Sequence, residues 1–581
     1  MGLLASSSVK TEGVYQRRSF TNHIALCLLL LSVPIGQILV HTIAGSGIWH
    51  ILGLSEAILI DNKQSIGLLF NLPDNLEYVS FALENKIGMH FMTNLFTTES
   101  HRNALFNLYF FLVGVFSNCV NVQPLVLMII VSLFAAPLIG LMVFLICRQL
   151  ELTYATSLWA VAMVILGSGP SWVLHVFIKL AYTPLMMGGV FAWIERQVDI
   201  VRKSMHLIDL FPVNSFLVYP YHSVALIFQI FVVSLILQTL RKDLTGNPFG
   251  WVLLSSVALA LFALFRPYEA FVFSALLLLT MLVTRLARGK NLFFRFADYL
   301  TFALLVGPCL GYILWVSSLP VWNSLASATF TVLIPRKSLV MEFSVYWFFA
   351  AIGIFRVFKE RRLEMLFLSL WAFSTMLLLI IFGHLFYKLA GGAVIAYGIL
   401  GAFGLDYLFN HAVYRTFQRN SSRAILRGVG AVAAAILLIG TSLKTYGEML
   451  HYEVPRIDTE VLSAARLIRG EYPNSIPVVL TDCSTAPVLV GLAAARVYSG
   501  HWAMTPDFDA KCAELAMAGF EDRPGTNANI GADSLRGIVA KVQPDFVLIR
   551  RGAWAEHWLL AHHAASVKNS MQRWALLAAK K

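Results

Sequence analysis

Long apolar windows separated by short polar segments dominate the pattern of this chain. The windows Leu125–Cys147 and Trp251–Phe265 contain no charged residue. A helix needs about 20 apolar residues to cross the hydrocarbon core of a bilayer. The pattern therefore predicts a polytopic α-helical membrane protein with about thirteen transmembrane helices. We expect these spans near residues 24–45, 104–120, 125–147, 153–168, 171–191, 214–238, 249–265, 269–284, 296–317, 343–357, 364–383, 389–409 and 427–444.

Composition supports membrane burial. Of the residues, 58% are hydrophobic and 13% are charged, whereas about a quarter of the residues in a soluble domain are charged. The net charge of +12 would suggest a nucleic-acid partner in a soluble protein. Here the basic residues lie mainly in short loops between apolar windows, and no basic soluble face carries aromatic residues. We therefore exclude nucleic-acid binding.

The basic residues also orient the chain. The N-terminal tail, residues 1–23, is basic and is predicted to be cytoplasmic. Basic clusters mark three later inside loops, which contain Arg285, Arg288, Lys290 and Arg295; Arg356, Lys359, Arg361 and Arg362; and Arg415, Arg419, Arg423 and Arg427. Loop 195–209 is the exception, since it is basic and predicted to lie outside. This orientation divides the chain into the tail, a transmembrane domain over residues 24–444 that includes the outside loop 47–103, and an extracytoplasmic domain over residues 445–581.

The C-terminal domain mixes helical and strand patterns. Residues 459–470 and 507–518 are predicted helices, and residues 476–481 and 545–549 are predicted buried strands, which together indicate a small α/β domain. It contains neither a GxGxxG motif nor a P-loop, so we expect no nucleotide site. Loop 47–103 has helical spacing of apolar residues and is expected to form interfacial helices on the bilayer surface.

Carboxylates in loop 47–103 are the first candidates for chemistry. Asp74 could cap a helix that begins near Leu76. Alternatively, Asp74 could deprotonate an acceptor hydroxyl beside a lipid-linked donor at the membrane surface. Glu99 could likewise be a helix cap or the base that deprotonates the acceptor. Glu77 and Glu84 are expected to be solvated.

Cations and aromatic residues complete the candidate site. Arg266 and Glu269 interrupt an apolar stretch, where two charges usually face a cavity, although they could instead form a pair that caps two short helices. Basic residues could bind either a phosphate or anionic lipid headgroups. The predicted phosphate-binding residues are Arg266, Arg336, Lys337 and Lys388. The predicted substrate pocket contains Tyr78, His101, His222, Tyr268 and Glu269. No histidine here has a spaced partner, so no metal site is predicted, and a divalent metal stays open as a cofactor.

Two of the six cysteines, Cys483 and Cys512, lie in the C-terminal domain. If that domain is outside the cytoplasm, an oxidising compartment would allow them to pair. No spacing signature supports a bridge, however, and the sequence favours two independent buried thiols.

Several short motifs occur in a recognisable order. They are Asp74-x-x-x-Tyr78, Asn94-Leu-Phe-Thr-Thr-Glu-Ser-His101, Asn107-Leu-Tyr-Phe-Phe-Leu-Val-Gly114, Leu166-Gly-Ser-Gly169, Arg266-Pro-Tyr268 and Tyr498-Ser-Gly-His-Trp-Ala-Met-Thr-Pro-Asp507. Through most of its length the chain resembles the GT-C superfamily of membrane glycosyltransferases, the class of the protein O-mannosyltransferases and aminoarabinose transferases. More narrowly, it resembles a poorly characterised bacterial branch of that superfamily.

The resemblance implies a glycosyltransferase of a bacterial inner membrane. It implies a polyprenyl-phosphate sugar as donor, membrane lipid as a partner, and Asp74 or Glu99 as the acid that acts on an acceptor outside the cytoplasm. This loop lacks the expected Asp-Glu or Asp-x-Asp pair, Arg266 replaces an expected His, and Lys388 replaces an expected Arg. Two alternatives stay open: a transporter or flippase of a lipid-linked substrate, although no internal repeat is visible, and a non-catalytic membrane scaffold.

Overall fold

The structure is a computed structural model. It describes residues 5–43, 59–60, 63–66, 72–167, 220–245, 249–287, 296–323, 336–382, 391–409, 429–430, 432, 455–520, 528–562 and 565–579. Residue contacts divide the chain into two compact units. The first unit consists of Met1–Val40, Val131–Gly307 and Leu333–His451. The second unit consists of His41–Ile130, Pro308–Val332 and Tyr452–Lys581, and it is called the globular unit below.

Helices account for most of the described chain. They are α1 (Ala5–Ile43), α2 (Leu72–Lys86), α3 (Leu108–Cys119), α4 (Pro124–Gln149), α5 (Tyr154–Ile165), α6 (Pro220–Thr245), α7 (Phe249–Ala263), α8 (Pro267–Ala287), α9 (Phe296–Ser317), α10 (Arg336–Lys359), α11 (Leu366–Phe382), α12 (Val394–Tyr407), α13 (Thr459–Glu471), α14 (Ala486–Ala493), α15 (Phe508–Met517), α16 (Ala528–Val542) and α17 (Trp554–Ala561). The span predicted near residues 171–191 lies outside the described residues, as does that near 427–444 apart from residues 429, 430 and 432. Helices occur at every other predicted span.

Among the described residues, six helices are long and apolar enough to cross a membrane. They are His23–Ile43, Pro124–Gln149, Tyr221–Arg241, Pro267–Leu286, Ala297–Ser317 and Leu363–Ile381. Their lengths of 19 to 26 residues meet the requirement of about 20 residues for a bilayer crossing. The chain is therefore a polytopic helical membrane protein.

Glycines let two helices of the first unit pack closely. A Cβ atom at Gly353 of α10 would lie 2.0 Å from the carbonyl oxygen of Leu400 in α12. A Cβ atom at Gly404 of α12 would lie 2.2 Å from the carbonyl oxygen of Phe349 in α10. Small residues at such contacts allow helix backbones to approach each other within a membrane.

Two sheets lie in the globular unit. One has the order β1 (Leu59–Ile60), β2 (Lys63–Ser65) and β3 (Arg456–Asp458), all antiparallel. The other has the order β5-β4-β6-β8-β7, formed by β4 (Val478–Leu480), β5 (Arg496–Val497), β6 (Phe546–Arg550), β7 (Ala565–Ser570) and β8 (Trp574–Ala579). Strands β5, β4 and β6 are parallel, and β6, β8 and β7 are antiparallel. The described part of the C-terminal region therefore contains both helices and strands.

Loop 47–103 belongs to the same unit as the C-terminal region. Strand β2 of the loop pairs with β3 of the C-terminal region, so that Gln64 lies opposite Ile457. Thr97 likewise forms an isolated bridge with Ser499. The boundary predicted at residue 445 follows from hydropathy alone, which does not register pairing between such distant segments.

Candidate active site

Three carboxylates lie on one face of α2. Asp74, Glu77 and Glu84 are separated by three and then seven residues, which places them on the same side of a helix. The helix begins at Leu72, so Asp74 lies within its first turn instead of preceding it as a cap. A carboxylate in this turn is favoured by the partial positive charge of the helix N-terminus.

Glu77 and Glu84 were expected to be solvated, and this expectation was wrong. As whole residues, Glu77 and Glu84 are 6% and 0% exposed. Two helices of the globular unit, α3 and α14, pack against α2. Leu76 of α2 fills the space beside Gly491 of α14, where a Cβ atom would lie 2.7 Å from the Leu76 side chain.

His501 completes the cluster on α2. Its Nε2 lies 2.9 Å from Asp74 Oδ1 and 3.5 Å from Glu77 Oε2. The exposed fractions are 3% for the His501 side chain, 8% for Glu77 and 25% for Asp74. Asp74 is thus the member of the cluster that a substrate could reach.

A tight turn holds the imidazole of His501 in place. The Thr505 hydroxyl accepts hydrogen bonds from the backbone N–H groups of Gly500 and His501, and it donates one to the Phe96 carbonyl at 2.7 Å. The backbone N–H of Ala503 donates to His501 Nδ1 at 3.3 Å, which favours the tautomer that has its hydrogen on Nε2. Asp74 therefore accepts a hydrogen bond from a fixed ring.

The two acids control the charge of this ring. Burial lowers the pKa of His501, but the negative charges of Glu77 and Asp74 together raise it by more. The net pKa of His501 lies above its ordinary value. When the ring is protonated, the Asp74–His501 hydrogen bond gains charge assistance, but Nδ1 then carries a hydrogen and can no longer accept the N–H of Ala503.

The cluster also has the donor set of a divalent-metal site. One oxygen each of Asp74 and Glu77 and one nitrogen of His501 lie within 4.8 Å of one another. Carboxylate oxygen and imidazole nitrogen are common ligands of Zn²⁺ and similar ions. A metal on Nε2 would replace the hydrogen that Nε2 donates to Asp74, so Nδ1 would then carry the hydrogen and Ala503 N–H would have to turn away. In donor type and spacing, the three side chains fit a divalent cation.

The second candidate acid, Glu99, has a different partner. Lys511 Nζ donates to Glu99 Oε1 at 2.6 Å, and the Lys511 side chain is only 7% exposed. The Glu99 side chain is 38% exposed. Glu99 is therefore half of an ion pair within the globular unit.

His101 has a structural position in the turn that carries Glu99. Its Nδ1 lies 2.7 Å from the Glu99 carbonyl, and its Nε2 accepts the backbone N–H of Asn94 at 2.9 Å. Because Nε2 is an acceptor, the ring is neutral in this arrangement, and burial lowers the pKa of His101 accordingly. Tyr78 stacks on Phe110 with a ring-centroid distance of 5.8 Å.

Cys483 and Cys512 form a disulfide, so the expectation of two independent thiols was wrong. The segment between them contains β5 and the His501 turn, and Cys512 directly follows Lys511. The bond therefore closes the segment that supplies the partners of both Asp74 and Glu99.

Loss of this disulfide should lower the stability of the globular unit by about 3 kcal/mol, since it closes a loop with a sequence separation of 29 residues. We expect Cys483→Ser/Cys512→Ser to increase hydrogen exchange in β4, β5 and α15. Reductant should have the same effect on the wild type and none on the double variant. Thiol labelling of the denatured, unreduced chain should modify only the four free cysteines, Cys27, Cys119, Cys147 and Cys309. Labelling of all six would refute the bridge.

Glu84 should make stability depend on pH. Burial raises the pKa of Glu84 well above its usual value, although the Thr93 N–H and the charge of Arg496 lower it. Because the folded-state pKa is raised, the contribution of Glu84 is fully present below the unfolded-state pKa of about 4.3 and is lost as pH rises through the folded-state pKa. We therefore expect the melting temperature of the wild type to decline between pH 5 and 8. In Glu84→Gln this decline should be smaller. The exposed variant Glu471→Gln should leave the decline unchanged, and an identical decline in Glu84→Gln would contradict the assignment.

A second polar cluster lies in the first unit. Arg266 donates to Glu269 Oε1 through Nε at 2.9 Å and also through Nη2, and its Nη1 lies 3.3 Å from His222 Nδ1. Its guanidinium also lies over the Tyr221 ring, 5.6 Å from the centroid. Glu269 is buried, and its Oε2 has no hydrogen-bond partner among the described residues. The structure therefore brings His222 and Glu269 of the predicted substrate pocket together with Arg266, which was predicted to bind phosphate. Tyr268 is next to Glu269 in the chain and is half-buried.

Lys388 lies outside the described residues. Arg336 and Lys337 form the first turn of α10, and their side chains are outside the described part of the structure. The sequence pattern did not indicate that His501 or Lys511 is a site residue. The only signal for His501 was the segment Tyr498–Asp507, which was noted for its family resemblance and not for a link to the first loop.

Comparisons with known proteins support the fold. No family model and no curated protein matches this chain. The oligosaccharyltransferase of Archaeoglobus fulgidus in the apo form aligns with 90% of this chain and 69% of its own, with a TM-score of 0.53 and 12% identity. ArnT from Cupriavidus metallidurans bound to undecaprenyl phosphate aligns with 93% of this chain and 97% of its own, with a TM-score of 0.45 and 12% identity. The first alignment shows that this chain shares the fold of that oligosaccharyltransferase.

Proposed function

We propose that this protein is a glycosyltransferase that moves a sugar from a polyprenyl-phosphate donor to an acceptor on the outer face of a membrane. The observation that carries the proposal is the Asp74 carboxylate, which is 25% exposed and fixed by the buried His501 at 2.9 Å. An oriented and accessible carboxylate suits a general base. The shared fold with an oligosaccharyltransferase and the apolar helices support a membrane-bound donor.

In the proposed reaction, Asp74 takes the proton of the acceptor hydroxyl while that oxygen forms a bond to the anomeric carbon of the sugar. The bond between this carbon and the phosphate oxygen breaks, and its electron pair leaves with the polyprenyl phosphate. His501 and Glu77 position Asp74. Glu99, which forms an ion pair with Lys511, is the second candidate for the base.

Cations are proposed to hold the leaving phosphate, whose developing charge they would stabilise. They are Arg266, Arg336, Lys337 and Lys388. The proposed substrate pocket contains Tyr78, His101, His222, Tyr268 and Glu269. A divalent cation held by Asp74, Glu77 and His501 would supply electrostatic stabilisation of the transferring group.

The proposal includes an orientation. The region 445–581 and the first loop lie outside the cytoplasm of a bacterial inner membrane, and about thirteen helices cross that membrane. The clusters of basic residues in the short loops support this orientation, because such loops usually lie on the cytoplasmic side. The pairing of β2 with β3 requires the first loop and the C-terminal region to lie on the same side.

Membranes of a deletion strain provide the test. They should accumulate a polyprenyl-phosphate sugar and lack one glycan. When these membranes are dissolved in detergent, the purified protein should transfer the sugar and release polyprenyl phosphate. A flippase has no bilayer to work across under these conditions, so restoration of transfer separates the enzyme from a transporter. Unchanged lipids and glycans in the deletion strain would refute the proposal.

A further inference from the structure

A cavity of about 340 Å³ lies within the globular unit, apart from the Asp74 cluster, and is called the basic pocket below. It opens between the two sheets and the start of α14. The residues that line it include Lys63, Arg456, Asp458, Arg550, Arg573 and Trp574. This volume falls within the range of small-molecule sites, about 300–1,000 Å³.

The pocket has a strong excess of positive charge. Lys63, Arg456, Arg550 and Arg573 face a single carboxylate, that of Asp458. Four cations and one acid give the lining a formal charge of +3. Cations collected on the wall of a cavity repel one another, and an anion relieves this repulsion.

Strand register brings these charges together. Lys63 of β2 lies opposite Asp458 of β3, and Arg456 is two residues before Asp458, which puts both β3 side chains on the same face. Arg550 at the end of β6 lies opposite Trp574 at the start of β8. The cations thus come from segments that are distant in the chain and are placed by two separate sheets.

The turn before β8 is held rigidly. The Glu460 carboxylate accepts the backbone N–H groups of Gln572, Arg573 and Trp574 at 3.1, 2.8 and 2.9 Å. This fixes the backbone from which Arg573 reaches the pocket. A pre-organised wall lowers the entropy cost of binding a ligand.

Contacts within the pocket neutralise only part of this positive charge. Arg573 lies 3.6 Å from Asp458, and Arg550 lies over the Trp574 ring, 5.6 Å from the centroid. Among the described residues, no hydrogen bond or ion pair involves the side chain of Lys63 or Arg456. The start of α14 does not supply the anion site, because the Asp482 side chain already accepts the backbone N–H groups of Ser484 and Thr485.

We propose that the basic pocket binds the phosphate group of a small organic phosphate, about the size of a sugar phosphate. Guanidinium groups of Arg456 and Arg573 match phosphate oxygens in a bidentate manner, and Lys63 adds a point charge. The phosphate belongs either to a soluble phosphosaccharide or to an anionic lipid headgroup. This inference stands independently of the proposed transfer reaction, because the pocket shares no residue with the Asp74 cluster.

The test uses the full chain in nanodiscs of phosphatidylcholine and measures binding of glucose 1-phosphate by calorimetry, with glucose as the uncharged control. The wild type should bind the phosphate, bind glucose at least tenfold more weakly, and lose affinity as salt rises. Arg456→Gln should lower the affinity for glucose 1-phosphate at least tenfold, because it removes a charged hydrogen-bond donor. Lys63→Gln should lower it as well. Arg536→Gln is the matched control, since Arg536 is exposed and outside the pocket, and it should bind as the wild type does.

Nanodiscs that contain phosphatidylglycerol show whether the phosphate belongs to a lipid headgroup or to a soluble phosphosaccharide. Loss of glucose 1-phosphate binding in these discs assigns the pocket to a lipid headgroup, and unchanged binding assigns it to a soluble phosphate; both outcomes support a phosphate site. Equal affinity for glucose and glucose 1-phosphate would overturn the proposal. So would wild-type binding by both Arg456→Gln and Lys63→Gln. If Arg456→Gln does not fold, the affinity of Lys63→Gln for glucose 1-phosphate tests the proposal by itself, since Lys63 is exposed.

Discussion

Asp74→Asn is expected to lower the rate of sugar transfer by about 100-fold or more, the usual minimum contribution of a general base. The amide has nearly the shape of the carboxylate and can still accept the hydrogen bond from His501 Nε2, so the fold should be retained. It cannot take a proton from an acceptor hydroxyl. The measurement is the initial rate of polyprenyl-phosphate release by purified protein in solubilised membranes of the deletion strain.

A matched variant shows whether this loss is specific. Asp533→Asn makes the same chemical change in the globular unit, at a side chain that is 84% exposed, and it should transfer sugar at the wild-type rate. Thermal melting and protection of Cys483 and Cys512 from labelling should be unchanged in both variants. Wild-type turnover by Asp74→Asn would exclude Asp74 as the base. A loss in Glu99→Gln alone would then move that role to Glu99.

Hydropathy predicted the coarse architecture of this chain because it is a local property. A window such as Leu125–Cys147 identifies a span without knowledge of any other segment, and α4 occupies residues 124–149. Short-range patterns also located β4, β6, α13 and α15 in the C-terminal region to within about two residues, the usual uncertainty of helix and strand ends. These successes required no information about which segments meet.

The candidate site depends on contacts that are not local. Asp74 and His501 are 427 residues apart in the chain, and Glu99 and Lys511 are 412 apart. Glu77 was expected to be solvated because polar residues usually are, but this rule fails where another segment supplies a partner. The disulfide was not predicted for the same reason, since the distance between Cys483 and Cys512 depends on how the segments that carry them pack.

Arg266 was predicted from its position in an apolar stretch, and the structure adds a partner that changes what the residue can do. The negative charge of Glu269 offsets the positive charge of Arg266, and the exposed fractions of the two side chains are 3% and 13%. A phosphate that binds Arg266 must therefore compete with Glu269 or join a pair that is already neutral. Stability and donor binding have to be measured separately to distinguish these roles.

Arg266→Gln should destabilise the protein by about 3–5 kcal/mol, because it leaves the Glu269 charge buried without its partner. Arg266→Gln/Glu269→Gln should recover most of this loss, since no unpaired charge remains. The measurements are thermal melting in detergent and the KM for the polyprenyl-phosphate donor. A double variant that regains its melting temperature and keeps a raised donor KM would assign phosphate binding to Arg266, whereas recovery of both would leave it a purely structural role.

The control is Arg241→Gln, which breaks an exposed pair with Glu151 and should cost about 1 kcal/mol or less. A single variant as stable as Arg241→Gln would show that the Arg266–Glu269 pair does not hold the fold.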